Sequence, residues 1–325
     1  MLGLNSICSS LAKLCRFGKE LLPRNLRVWI TITSVIFPLW SLIVNANRLL
    51  DLSLGFASFV WLCLAIFVSI FSLLINAFVW RVLLVWLGTK PQEGSLIYLF
   101  LSSNLLKYLP GGIWHFVERV RVLRLSMSLG DALSSVLLEP IIMAAAALLW
   151  VPFGGWQSGF AIVCFIPACA LSKRWREPLL KRLKTTKFNQ LKMVDHGIIG
   201  SEPNEHLGSG RDDYPWKALV TEMAFLAFRF FGFLCCLEAF SLSSDLPIGK
   251  WLASFCLAWT VGLVVPGAPS GIGVFETTLL LRLPNSVAEV PLLGAVLCYR
   301  VVVTLADILA GLLAANVRPT VRLFR

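Results

Sequence analysis

Long apolar stretches with almost no charged residues limit what this chain can fold into. The longest extends from Leu54 to Leu87 and contains one charged side chain, that of Arg81. A helix needs about 20 mostly apolar residues to cross the roughly 30 Å hydrocarbon core of a bilayer. Over the whole chain, 57% of the residues are hydrophobic and 14% are charged, and a water-soluble fold of 325 residues cannot bury that much apolar surface. The sequence therefore predicts an integral membrane protein.

The apolar stretches predict an all-α integral membrane protein with about eight transmembrane helices. Seven stretches are apolar enough to cross on their own, and two shorter ones are interrupted by glycine and proline. The charge distribution requires an even number of crossings, so one interrupted segment is expected to cross as well. The seven candidates are 27–45, 54–87, 131–151, 159–171, 217–240, 250–265 and 290–317, and the interrupted segments lie around 96–109 and 272–283.

Lysine and arginine are concentrated in three segments outside the apolar stretches. The formal net charge of +11 therefore does not indicate a nucleic-acid-binding surface. Because basic residues mark the cytoplasmic flanks of membrane helices, we predict that the N-terminus, the central loop and the C-terminus face the cytoplasm. The predicted regions are a cytoplasmic N-terminal segment that forms an interfacial helix or is disordered (1–27), a first membrane half (28–171), a basic and polar flexible loop (172–216), a second membrane half (217–317) and a cytoplasmic tail (318–325).

The cysteines and histidines do not indicate a metal or redox centre. The nine cysteines include no Cys-x-x-Cys pair, and most of them lie within apolar stretches. The three histidines, His115, His196 and His206, are far apart in the sequence and have no zinc-site spacing. We therefore expect neither a bound metal nor a cofactor.

Two segments interrupted by glycine and proline occupy corresponding places in the two membrane halves. The first reads SNLLKYLPGGIWHFVERV (103–120) and the second reads VGLVVPGAPSGIGVFETT (261–278). Proline removes a helical N–H and glycine tolerates left-handed backbone, so each segment breaks an apolar helix. Unpaired backbone groups at membrane depth are tolerated only inside protein or along a cavity, and matched breaks in two halves indicate a translocation site. The residues predicted to line this site are Pro110, Gly111, Gly112, Pro266, Gly267, Gly271 and Gly273.

The alternative interpretation is that both breaks are ordinary tight turns at the membrane surface. The pattern also leaves open which segment crosses the membrane and which is re-entrant. Arg119, Arg121 and Arg124 follow the first break closely, and keeping them on the cytoplasmic side favours a re-entrant first segment.

Ionisable residues within the apolar stretches are a second indication of a polar pathway, because such residues are rare and usually functional or paired. Glu222 and Arg229 are seven residues apart and share one helix face. Arg300 and Asp307 have the same spacing in the last helix. Salt bridges that only hold helices together are the alternative. The candidate phosphate ligands are Arg119, Arg229 and Arg300, and the candidates for a cationic headgroup or a coupled proton are Glu276, Glu139 and Asp307.

The two interrupted segments resemble the signature segments of the lysylphosphatidylglycerol synthase transmembrane domain family. The resemblance rests on NLLKYLPGGIWHFVERV and PGAPSGIGVFE, and the last helix around Arg300 is also similar. Ser270 stands where the family usually has glycine, and Asp307 where many members have proline. The resemblance implies a bacterial inner-membrane protein with the flippase-like domain of the family. Because the chain ends at Arg325 without a soluble synthase domain, we expect no lysylphosphatidylglycerol synthesis.

The resulting hypothesis is a membrane lipid translocase that moves a phospholipid, an aminoacyl-lipid or a lipid-linked sugar between leaflets. The alternative is a non-catalytic accessory subunit that presents a lipid to a separate glycosyltransferase or synthase and docks through residues 173–216. A membrane-embedded transferase with Glu276 or His115 as its base is disfavoured, because the sequence has no nucleophile–base pair or nucleotide motif. The expected partners are therefore a membrane lipid and a membrane enzyme, and no nucleic acid.

Overall fold

The computed structural model describes residues 55–89, 93–108, 113–155, 160–194, 213–264, 273–283 and 287–316, and every regular element among them is a helix. The first group comprises α1 (Phe56–Trp86), α2 (Glu93–Asn104), α3 (Trp114–Leu123) and α4 (Leu129–Trp150), with 3₁₀ turns at Leu105–Tyr108 and Val151–Gly154. The connecting helices are α5 (Phe160–Val163), α6 (Ile166–Ala170) and α7 (Lys173–Val194). The last group comprises α8 (Trp216–Ala239), a 3₁₀ turn (Ser243–Asp245), α9 (Ile248–Val264), α10 (Val274–Arg282) and α11 (Glu289–Asn316).

Four of these helices, α1, α4, α8 and α11, are long and apolar enough to cross a membrane. Helix α9 is also apolar but has only 17 residues. Large apolar side chains of α1 point outward, among them Phe59 and Phe67, which are 64% and 69% exposed. Such exposure is favourable in lipid, where no water surrounds the helix, and would be costly in a soluble protein. The chain is therefore an all-α membrane protein.

Most of the predicted crossing stretches coincide with single helices, namely α1, α4, α8, α9 and α11. The prediction of one helix over 159–171 was wrong, because the described part forms the two short helices α5 and α6 with a turn between them. Pro167 lies at the start of α6 and cannot donate a helical hydrogen bond back to Val163, which favours a break there. The stretch 27–45 and the two termini, 1–27 and 318–325, lie outside the described residues.

The basic part of the predicted cytoplasmic loop is a helix, α7, so the prediction of a flexible linker over these residues was wrong. The segment reads KRWREPLLKRLKTTKFNQLKMV, which contains no glycine and is rich in lysine, arginine and leucine, all good helix formers. Arg176 holds the helix against the bundle. Its guanidinium carbon lies 4.7 Å from the centroid of the Trp86 ring, and its Nη1 donates to the Leu171 carbonyl at 3.2 Å.

The centre of the bundle is an antiparallel pair of helices, α1 and α8, which share the most extensive helix contact among the described elements. Phe71 and Phe228 have ring centroids 5.1 Å apart, and Ser69 faces Gly232 one turn further along. A Cβ atom on Gly232 would lie 3.1 Å from the Ser69 Oγ, so glycine permits the two helices to approach closely.

The other long helices pack around α1 and α8 in a matched pattern. Helix α4 contacts α8 and α9, and α11 contacts α1 and α2 in the same manner. The last helix of each group therefore packs on the first two helices of the other group. The short helices α3 and α10, each of which follows an interrupted segment, contact α4 and α11 respectively.

Candidate functional site

Arg119 and Glu139 form a buried ion pair between α3 and α4. The Arg119 Nη1 lies 2.6 Å from the Glu139 Oε2, and the side chains are only 2% and 7% exposed. The Arg119 Nε donates to the Ser103 Oγ at 3.0 Å, and the guanidinium carbon lies 4.1 Å and 5.0 Å from the ring centroids of Phe100 and Trp80. The Nη1 atom, the Nε atom and the planar face of this guanidinium group thus each have a favourable neighbour, as a charge in the bundle interior requires.

Glu276 and Arg300 form the corresponding ion pair between α10 and α11. The Arg300 Nε lies 2.6 Å from the Glu276 Oε1. The other carboxylate oxygen, Oε2, accepts a hydrogen bond of 2.7 Å from the backbone N–H of Gly273, directly before α10. Gly273 has a φ of +84°, which side chains other than that of glycine rarely permit. Glu276 therefore caps its own helix and positions Arg300 at the same time.

Asp307 on α11 is the centre of a third buried polar cluster. The Lys107 Nζ lies 2.7 Å from its Oδ2, and the Asn104 Nδ2 donates to its Oδ1 at 2.8 Å. The Tyr108 hydroxyl group also donates to the Oδ2. These three partners come from the end of α2 and the 3₁₀ turn that follows it. The cluster therefore attaches the segment just before the first break to the last long helix.

Arg229 on α8 is 2% exposed, and its Nε and Nη1 atoms have no hydrogen-bond partner within the described part of the chain. The rings of Phe225 and Trp259 lie 5.5 Å and 5.9 Å from its guanidinium carbon and give it cation–π contacts, but no described residue forms an ion pair with it. Its charge acts on Lys107, which belongs to the Asp307 cluster. A second cation is therefore close to this one inside the bundle.

Glu222, seven residues before Arg229 on the same helix, is completely buried. Neither carboxylate oxygen of Glu222 has a hydrogen-bond partner among the residues that the structure describes. Glu139 on α4 is the charged group that acts on it electrostatically. Glu222 and Arg229 do lie on one buried face of α8, as their spacing predicted, but neither forms an ion pair with a described residue.

The buried charges follow one another along α8. Glu222 and the Arg119–Glu139 pair lie towards its beginning, and Arg229 and the Asp307 cluster follow, about 10 Å further along at 1.5 Å per residue. The Glu276–Arg300 pair comes next, since Phe275 and Tyr299 contact the ring of Phe233. Among the described residues, no group of three or more His, Cys, Asp or Glu side chains could hold a metal ion.

Sequence reasoning identified the charged members of these clusters but missed Asn104, Lys107 and Tyr108. The signal that could have found them is a lysine and an asparagine inside an apolar segment directly before a Pro-Gly break. Six predicted lining residues lie outside the described residues, namely Pro110, Gly111, Gly112, Pro266, Gly267 and Gly271.

Comparison of the sequence with models of known protein families and with curated proteins finds no match. The similarity of the two interrupted segments to the lysylphosphatidylglycerol synthase transmembrane domain family therefore stays a prediction from the sequence. The fold and the site geometry together define an all-α membrane protein with a row of buried charged residues between its long helices.

Proposed function

We propose that this protein is a flippase-like translocase that moves a lipid with an anionic phosphate headgroup between the leaflets of a membrane. The proposal rests on Arg229, which is buried in a long apolar helix. Two of its nitrogen atoms have no hydrogen-bond partner among the described residues. Arginine stays charged at physiological pH, so its burial in the bundle requires a compensating group. The phosphate of a lipid headgroup supplies both the negative charge and the acceptor oxygens.

Lys107 provides a second cation for the same headgroup. Its side chain is 22% exposed although its Nζ is paired with Asp307, whose side chain is fully buried. Asp307 also accepts hydrogen bonds from Asn104 and Tyr108, so Lys107 can turn towards a phosphate without leaving the carboxylate unsatisfied. Its position next to the first break suits the proposed binding of the headgroup where the helices are interrupted.

The arrangement of the helices supports alternating access to this headgroup site. We propose that α1–α4 and α8–α11 are inverted repeats, because α1 and α8 are antiparallel and the helices around them make matched contacts. The α2–α3 segment would then be re-entrant from the cytoplasmic side and the α9–α10 segment from the opposite side. Helices α1, α4, α8 and α11 would cross the membrane, together with the predicted stretches 27–45 and 159–171, the latter through α5 and α6. These six crossings and two re-entrant hairpins would leave the N-terminus, the central segment and the C-terminus in the cytoplasm. Inverted repeats with broken helices are a common architecture of secondary transporters.

The two ion pairs beside the breaks also support the repeat. In the first group, the cation Arg119 is on the short helix and the anion Glu139 on the long helix. In the last group, the anion Glu276 is on the short helix α10 and the cation Arg300 is on the long helix α11. The same contact is thus kept in both groups while the signs of the charges are exchanged.

A second candidate function, that of an accessory subunit, rests on α7. The described part of this helix exposes Lys173, Arg174 and Lys181, while Arg176 anchors it to the bundle. An exposed basic helix next to a membrane suits either anionic headgroups or an acidic surface of an enzyme. Replacing Lys173, Arg174 and Lys181 with glutamine separates the two functions, because intrinsic lipid movement would survive in vesicles and delivery to a partner enzyme would not.

The experiment that tests lipid translocation is the movement of headgroup-labelled lipids in liposomes that contain the purified protein. We expect faster transbilayer movement than in protein-free liposomes for probes that carry a phosphate, and no acceleration for a neutral glycosyl diacylglycerol. Glu276→Gln and Arg300→Gln should slow this movement by about tenfold or more, since a charged hydrogen bond contributes about 1.5–3 kcal/mol. If no phospholipid, aminoacyl-lipid or polyprenyl-phosphate sugar moves faster with protein than without it, the proposal is wrong and the accessory function takes its place.

A further inference from the structure

Glu222 and Glu139 are two buried carboxyl groups on neighbouring helices, and of the two only Glu139 has an ion-pair partner among the described residues. Glu139 lies on α4 and Glu222 on α8, two helices in contact, and the charge of Glu139 acts on Glu222. Arg119 is bonded to Glu139 across 2.6 Å. With both carboxyl groups ionised, this part of the bundle would hold two negative charges against one positive charge.

Arg119 is bonded to Glu139, and not to Glu222, in this conformation. Its Nη1 is engaged with Glu139, its Nε with Ser103, and its planar face with the ring of Phe100. Among the described residues, Glu222 therefore has no ion-pair partner, and its two oxygens have no hydrogen-bond donor. A buried carboxyl group without a counter-charge or donor normally takes up a proton, because this removes the charge at far lower cost than burying it.

We propose that Glu222 is a proton-binding site that couples lipid movement to proton movement. This inference rests on the proposed lipid translocation and names its energy source. Glu222 carries a proton while the Arg119–Glu139 pair is closed. It exchanges that proton with water when the α3 and α4 helices separate and Arg119 becomes free to face either carboxyl group.

The proton exchange is a simple ionisation of the carboxyl group. On release, the O–H bond of Glu222 breaks, the electron pair stays on its oxygen, and the proton passes to water on the side to which the bundle is then open. Two carboxylates then face Arg119, and water in the open bundle solvates the negative charge that Arg119 does not compensate. On the other side of the membrane the carboxylate takes a proton from water, and the closed arrangement forms again.

The other charged groups around α8 are too far along the helix or too well paired to replace the proton. The Tyr299 hydroxyl group donates to the backbone carbonyl group of Arg229, seven residues after Glu222 on α8. Asp307 is bonded to partners of its own, among them Asn104. Asn76 and Trp80 on α1 are polar and cannot ionise. The titratable or charged side chains that the structure describes on the helices packed on α8 are Cys63 and Arg81 on α1, Asp131 and Glu139 on α4, Lys250 and Cys256 on α9, and Cys298, Tyr299, Arg300 and Asp307 on α11.

The first test is whether Glu222 carries a proton in the purified protein. The infrared spectrum of the wild type minus that of Glu222→Gln, at pH 7, is expected to show the C=O stretching band of a protonated carboxylic acid, shifted in D₂O. The matched control is Glu238→Gln on the same helix. Glu238 is partly exposed and accepts a hydrogen bond from Ser243, so its difference spectrum should show a carboxylate band instead.

The second test is the response of lipid movement to a pH gradient across the same liposomes. In the wild type, each pH unit should shift the distribution of a labelled phosphate lipid between leaflets by up to about tenfold if one proton accompanies each lipid. Glu222→Gln, which resembles the protonated side chain, should still let the lipid equilibrate but lose this shift. Glu238→Gln should keep the full shift.

The outcomes separate the proton site from the lipid function. Absence of the protonated-acid band in the wild type overturns the proposal whatever the lipid does. A band together with lipid movement that ignores the pH gradient also overturns it, because the proton is then a fixed part of the packing. If the wild type moves no lipid at all, translocation fails and the coupling fails with it, while the infrared band still decides whether Glu222 binds a proton.

Discussion

Arg119 on α3 and Glu139 on α4 are joined by a 2.6 Å contact between buried side chains. In the last group of helices, Glu276 on α10 and Arg300 on α11 form the same kind of contact, with the anion and the cation exchanged between the short and the long helix. Each pair connects the short helix that follows a break to the next long helix. The position of each short helix, and with it the proposed lipid pathway, therefore depends on an ion pair that has to open if the helices are to move.

The Arg119–Glu139 pair should be strongly coupled in stability. Arg119→Met or Glu139→Met alone should lower the free energy of unfolding in detergent by about 3–5 kcal/mol, because each leaves a buried charge without its partner. The double variant should recover most of this loss. Unfolding can be followed with a thiol-reactive dye, since four described cysteines are buried, namely Cys164, Cys235, Cys236 and Cys256. Losses that simply add in the double variant would contradict the coupling.

Asp307 should be the most sensitive member of its cluster. Asp307→Ala removes the acceptor of three side chains at once and leaves Lys107 without its counter-charge, so we expect a loss of several kcal/mol of stability. Tyr108→Phe removes one hydroxyl donor and should cost about 1 kcal/mol. The two thermal unfolding curves give this order directly. A larger loss for Tyr108→Phe than for Asp307→Ala would show that the carboxylate is not the centre of the cluster.

Gly273→Ala should disturb the second ion pair through the backbone. An alanine in this backbone conformation, with a φ of +84°, would be less stable than glycine by about 1–2 kcal/mol. The backbone N–H of Gly273 also donates to the Glu276 carboxylate. We expect lower thermal stability and slower lipid movement. Gly55→Ala is the matched control, because a Cβ there meets no atom within 4 Å. Equal behaviour of the two variants would mean that the backbone before α10 is not constrained.

Cysteine labelling tests the proposed re-entrant arrangement. In a variant lacking its native cysteines, Ser126→Cys between α3 and α4 should react with a membrane-impermeant reagent only from the cytoplasmic side. Ser244→Cys between α8 and α9 should react only from the opposite side. Both serines are exposed, so access to the reagent is not limited by packing. Labelling of Ser126→Cys from outside would mean that the first interrupted segment crosses the membrane.

The long helices could be predicted from the sequence because apolar length alone identifies them, as for α1 and α8. The charged residues of the candidate site were also visible, since Glu139, Glu222 and Arg229 stand out in apolar stretches. Their pairing could not be predicted. Arg119 and Glu139 are 20 residues apart on helices whose separation depends on how the chain turns after the first break. A contact such as Asn104–Asp307, which spans 203 residues, is set entirely by tertiary packing.

Two parts of the chain show where composition misleads. Helix α7 looked like a flexible linker because it is basic and adjoins a glycine-rich stretch, yet good helix formers and the contact of Arg176 with Trp86 order it. The 159–171 stretch looked like a single crossing helix because it is apolar, but Pro167 divides it. Hydropathy reports the solvent that a segment prefers and does not report backbone continuity.

Binding of the headgroup by Arg229 can be tested by comparing the rate of labelled phosphate-lipid movement in liposomes that contain wild type, Arg229→Gln or Lys217→Gln. Arg229 and Lys217 lie on the same helix, but Arg229 is buried and Lys217 is exposed at the helix start. We predict protein-dependent movement in the wild type, unchanged movement in Lys217→Gln, and a loss of about tenfold or more in folded Arg229→Gln. Equal rates for Arg229→Gln and the wild type would contradict the assignment of Arg229 as the headgroup ligand.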